Sequence, residues 1–164
     1  MGAVAVLVTV AVVSGALLRA PHGVRRAEAR VTDTRSAGAE ALAVLTAWDR
    51  RRATAWAAGD AAALEALYVA GSRTGARDVR ALAHWHRRGL RVVGLRQQVV
   101  ASEVLARSPG RYVVRVTERT VDAVAVGRPH RVGLPDSAWR THRVVLRRAG
   151  GVWRVVEARA QPAR

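Results

Sequence analysis

Ala55-Trp56-Ala57-Ala58-Gly59-Asp60-Ala61-Ala62-Ala63-Leu64-Glu65-Ala66-Leu67-Tyr68 is the stretch on which the architecture turns, because two helices meet in it. Upstream, Leu42, Leu45, Trp48, Ala55 and Trp56 recur on one face at helical spacing, which predicts a helix over residues 39–58. Gly59 stops it, since glycine takes the left-handed conformation that ends helices. Asp60 then offers a carboxylate to the unpaired N–H groups of the following turn and caps a second, short helix through Leu64, Leu67 and Tyr68. Ala70-Gly71-Ser72 breaks the chain. A third helix is predicted from near Asp78, burying Val79, Leu82 and Trp85 and ending at Gly89.

Beyond Gly89 the apolar period changes to two. Residues 91–105 read as one long strand, with Val93, Leu95, Val99 and Leu105 among its apolar positions. Ser108-Pro109-Gly110 is a turn, and residues 112–126, rich in Val and Thr, form a second long strand. Residues 127–135, with Pro129 and Pro135, read as a loop. Residues 139–148 and 152–160 are the last strands, joined by a hairpin at Ala149-Gly150-Gly151. The fold class is therefore α+β: three helices followed by a four-stranded antiparallel meander, with no internal repeat.

The helix junction at residues 55–68, together with Gly151-Val152-Trp153-Arg154-Val155-Val156, resembles the NTF2-like superfamily, including its SnoaL-like and ketosteroid-isomerase-like branches. The resemblance covers residues 39–160. It implies a cone, with three helices packed on a curved four-stranded sheet around a pocket. Members include isomerases, dehydratases, cyclases, epoxide hydrolases and many non-catalytic binding or assembly domains, so fold does not choose a function. The resemblance also extends to membrane-tethered, basic accessory domains of actinobacterial secretion or lipid-transport systems.

Residues 2–18 are an uninterrupted apolar and small-residue run. As a helix it would rise about 26 Å at ~1.5 Å per residue, the low end for a ~30 Å hydrocarbon core. The reading is a transmembrane helix or signal-peptide h-region over residues 1–18, a polar Arg-rich linker over 19–38, partly helical at most, and the domain over 39–164. Arg19, Arg25, Arg26 and Arg30 after the run argue for a cytoplasmic domain. The lack of a basic n-region argues instead for a longer natural N-terminus and an extracytoplasmic domain, anchored by a single pass or secreted if the segment is cleaved. The extracytoplasmic reading is the one adopted.

The formal charge is +16, and every basic residue is Arg; Lys, Asn, Ile and Phe are absent. That vocabulary is what GC-rich codons spell, so part of the arginine excess carries no function, and nucleic-acid binding is disfavoured against a solvated basic surface facing anionic lipid. With no cysteine, disulfides and thiolate chemistry are excluded.

No position matches a catalytic set closely enough to carry a role, and no cofactor or metal is implied. Pocket-lining candidates are Trp48, Arg52, Trp56, Tyr68, Trp85, His86, Glu118 and His142. Arg52 falls within the apolar stripe of its helix, three residues from Asp49, which reads either as a ligand-holding cation or as a stem packed down with its head on Asp49. Glu118 shares strand parity with Val114 and Val116, so it either faces the pocket as a base or pairs with an arginine such as Arg115 or Arg143. Glu157 and Asp122 carry the same ambiguity. His84 and His86 point about 200° apart on a helix and share no metal; His86 and His142 either meet across the pocket or are ordinary satisfied histidines, the second being the default reading. Trp139, at a strand start, is the tryptophan expected to be exposed.

Three functions follow. The first is a non-catalytic, membrane-tethered accessory domain that binds a protein partner or a second copy through its sheet. The second is binding or conversion of a small hydrophobic or anionic molecule in the pocket. The third is binding of anionic lipid or nucleic acid through the basic surface.

Overall fold

The computed structural model describes residues 22–162, and the apolar run at residues 2–18 lies outside them. No helix among the described residues is long and apolar enough to cross a membrane. Helix α1 (His22–Ala58) begins well before residue 39 and runs through most of the stretch expected as a linker. In its domain end Leu45, Trp48, Ala55 and Trp56 of the expected stripe are buried, while Leu42 is only half-buried and the neighbouring Ala41 takes the core position. Gly59, at φ +70°, ends it. Its N–H donates to the Trp56 carbonyl and that of Asp60 to the Ala55 carbonyl, the two reversed bonds that close a helix on a left-handed glycine. Asp60 then accepts from the Ala63 N–H at 2.8 Å and starts α2 (Ala61–Glu65).

Helix α3 (Arg73–Arg87) starts five residues before Asp78, because Ser72 is its cap. The Ser72 hydroxyl accepts from the Gly75 N–H and donates to the Val156 carbonyl, so the residue that breaks the chain also launches the next helix. Gly75 is required by packing: a Cβ there would lie 2.6 Å from Cγ of Tyr68.

The single four-stranded curved sheet is corrected by the structure, which among the described residues holds two antiparallel sheets and seven strands. The larger has the order β2 (Arg96–Ser108), β3 (Arg111–Val121), β6 (Arg140–Ala149), β7 (Val152–Gln161). The smaller has the order β1 (Arg91–Val93), β4 (Val124–Val126), β5 (Arg131–Gly133). Each of the first two expected strands is cut in two. Gly94 (φ +75°) and Asp122 (φ +62°) both adopt left-handed backbone, on facing strands of one hairpin. The pairing on one side of the break is Val93 with Val124, and on the other Arg96 with Val121. Three residues advance on each strand, so the hairpin keeps its register and bends as a unit. The approach is close: a Cβ on Gly94 would sit 2.6 Å from the Asp122 carbonyl oxygen. The bend turns β1 and β4 away from the large sheet and leaves an edge on β4 that β5 fills, from within the expected loop.

The core lies between α1 and one face of the large sheet. Leu64, Val114, Val116, Leu146 and Val155 are its largest fully buried side chains. Tyr112 stacks on Trp153 at 5.0 Å between ring centres. The free edge of β7 is covered by the link from α2 to α3: Val69 donates to the Val155 carbonyl, and Val155 donates to that of Leu67.

Candidate functional site

Asp78 organises the ground under the site. It is buried, yet every demand of its carboxylate is met. Arg52 forks onto it from α1, Nε to Oδ2 at 2.7 Å and a terminal nitrogen to Oδ1 at 2.6 Å. Tyr68 donates its hydroxyl to Oδ2 at 2.7 Å and Trp56 its indole N–H to Oδ1 at 3.2 Å. A planar guanidinium matched to two carboxylate oxygens is the strongest geometry such a pair can adopt. Burial works against the Arg52 charge, but the hydrogen bonds and charge of Asp78 outweigh it and raise its pKa. Burial, and then the Asp78 charge, push the Tyr68 phenol up as well, so it stays protonated as a donor. Arg52 therefore pairs with Asp78 across the α1–α3 gap and not with its helix neighbour Asp49.

Released from Arg52, Asp49 belongs to a cavity of about 430 Å³ bounded by α1, α3 and the large sheet. Trp48, Tyr68, Gln97, Glu118, Thr120 and His142 also line it, with Arg52 and Asp78 in its wall. Burial pushes the Asp49 carboxyl up to about 7, the negative charge of Glu118 adds to this, and Arg52 opposes it. Glu118 is raised too, by burial first and against the pull of Arg52. One oxygen of Glu118, Oε2, is buried and meets no hydrogen-bond partner. Unpaired buried polar atoms are few in native structures, and each needs a reason. His142, opposite Val116 on β6, has its pKa lowered by burial and then by the charge of Arg140.

Of the eight candidates, Trp48, Arg52, Tyr68, Glu118 and His142 meet at this cavity, and Trp56 braces it from behind through Asp78. Trp85 and His86 do not reach it. They sit with Leu82 and Leu90 in a crevice with no room for a water molecule, at the far end of α3. Glu118 takes no arginine partner; Arg115 pairs with Glu103 and Arg143 with Glu157. Asp122 pairs with Arg96 at the hairpin bend. Trp139 is 43% exposed, under the Arg119 guanidinium. Among the described residues no group of three His, Asp or Glu side chains is placed to hold a metal ion.

Asp78 and the pocket role of Asp49 escaped the sequence reading. Asp78 sits in α3 four residues before the buried Leu82, on the same helical face, and that spacing was the available signal.

No family model and no curated protein matches the chain. Among solved structures, it is similar to the intermembrane space region of the chloroplast protein ARC6, with a TM-score of 0.51 at 12% identity, over 77% of this chain and 97% of that one. At that identity the likeness is one of fold.

Proposed function

We propose that the domain binds a small polar molecule in the cavity between α1, α3 and the large sheet, and exchanges a proton with it at the Asp49–Glu118 pair. The observation that carries this is the buried, unpartnered Oε2 of Glu118, a residue lining a space large enough for a ligand, beside a second carboxyl pushed up to about 7. A buried carboxyl oxygen without a partner accepts a hydrogen bond from a ligand, and a carboxyl titrating near neutrality moves a proton at little cost. The chemistry suits a ligand with a hydroxyl, amine or amide donor for Glu118. Gln97, Thr120 and Trp48 line the space that would receive the rest of it.

The test is a fragment screen read by thermal shift and by the fluorescence of the tryptophans. Compounds with such donors should stabilise the native chain, and Glu118→Gln should weaken them more than Glu103→Gln on the exposed edge strand β2. A screen in which no fragment distinguishes these two variants would sink the proposal.

A further inference from the structure

A second concavity, which shares Tyr68 with the first but neither carboxyl of the pair, lies where α2, the start of α3 and the ends of β6 and β7 meet. It is an open cleft of about 1030 Å³. Its floor is small and apolar, with Val69, Ala70 and Ala76 contributing. Its rim is basic, with Arg73 and Arg80 from α3, Arg147 from β6 and Arg154 from β7. Glu65 is the one carboxylate among the described residues lining it. Arg154 spends its donors on the carbonyls of Ala66 and Ala149. Arg73, Arg80 and Arg147 form no ion pair among the described residues, although the chain pairs other arginines with Asp or Glu. The basic rim continues onto the sheet, where Arg111, Arg147 and Arg154 stand directly opposite one another on three adjacent strands. Like charges so placed repel, and here no carboxylate intervenes.

From this cleft we infer a docking site for an acidic amphipathic segment of a protein partner. Three features select that occupant. The rim calls for several carboxylates at once. The apolar floor calls for aliphatic side chains, which a sugar–phosphate backbone lacks. A flat bilayer surface does not follow the concavity of the cleft. A second copy of this chain, itself at +16, is a poor complement.

The probe is a fluorescein-labelled peptide of Glu and Leu, about 16 residues or roughly four helical turns long, with Leu confined to one helical face. Its binding to the full-length chain is followed by anisotropy. The expected result is saturable binding that falls about tenfold in Arg80→Glu and in Arg147→Glu, and also in Ala76→Glu, which charges the floor. Arg131→Glu, on the small sheet, should leave it unchanged. All four positions are exposed, and matched circular dichroism spectra confirm folding. The inference is overturned if the wild-type chain does not bind the peptide. It is equally overturned if the three cleft variants bind it as well as Arg131→Glu, or if a peptide with Ser in place of Leu binds equally. Displacement of the peptide by an oligonucleotide or by phosphatidylglycerol vesicles, at matched charge, as readily as by unlabelled peptide would assign the cleft to those polyanions instead.

Discussion

Asp78 and Asp49 occupy facing helices and take opposite fates, and the difference is partner supply. Asp78 collects four hydrogen bonds from Arg52, Tyr68 and Trp56, so both of its oxygens are partnered in the interior. Replacing it with Ala strands the guanidinium, phenol and indole together, and breaking a buried pair from one side costs about 3–5 kcal/mol. Urea denaturation of Asp78→Ala should show a loss of that order. Asp49 meets only the nearby charges of Arg52 and Glu118, and burial dominates. Its carboxyl holds its proton in the folded state up to about 7 but in the unfolded chain only to its ordinary value of 3.8. Between those limits the native state binds the extra proton, so stability falls as pH rises from about 4 to 7 and then levels off. The contribution is on the order of 2–4 kcal/mol. The difference between wild type and Asp49→Asn across that window isolates it from the opposing His142, whose lowered pKa withdraws stability as pH falls. A pH-independent difference would place Asp49 in an ordinary solvated setting. Arg52 was legible as an anomaly in an apolar stripe. Its partner was not, because spacing along one helix names the neighbour three residues away and is silent about a carboxylate on another helix.

At the scale of elements, the hairpin of β1–β4 and β2–β3 decides where the site lies. Its bend at Gly94 and Asp122 sets Leu95 and Gln97 beside Asp49 and Arg52. Gly94→Ala introduces a side chain at positive φ against the Asp122 carbonyl, a strain of about 1–3 kcal/mol. It should lower the denaturation midpoint and disturb the carboxyl pair together. A variant as stable as wild type would show that the bend needs no glycine. The strand period across residues 91–105 and 112–126 was readable, yet the break was not. Gly94 and Asp122 are each tolerable in a continuous strand, and only their alignment across the hairpin makes a hinge. The caps at Asp60 and Ser72 illustrate both outcomes: Asp60 was read as a cap, while Ser72 was read as part of a break because Gly71 precedes it.

For the whole molecule, a charge of +16 has a cost that burial offsets. Arg115, Arg143 and Arg159 face one another across β3, β6 and β7, relieved by Glu103 and Glu157, while Arg111 and Arg147 face one another without relief. Screening shortens such repulsion more than it weakens the buried Arg52–Asp78 pair. The melting temperature should therefore rise as sodium chloride is added from low ionic strength, and a fall would show that surface ion pairs outweigh the repulsion. What the sequence determined by itself was local: the helical stripe of α1, the glycine stop and aspartate cap at residues 59–60, the strand-rich second half and the turns that join its strands. Each depends on neighbours a few residues apart, where spacing stands in for geometry. What tertiary structure alone decided was non-local. It split two strands at one shared bend and joined Arg52 to Asp78. It left Oε2 of Glu118 without a hydrogen-bond partner among the described residues, and it gathered Arg73 and Arg80 with Arg147 and Arg154 around an apolar cleft. Those outcomes depend on which residues distant in sequence come within a hydrogen bond's length of each other, and that is fixed by how the helices pack on the sheet.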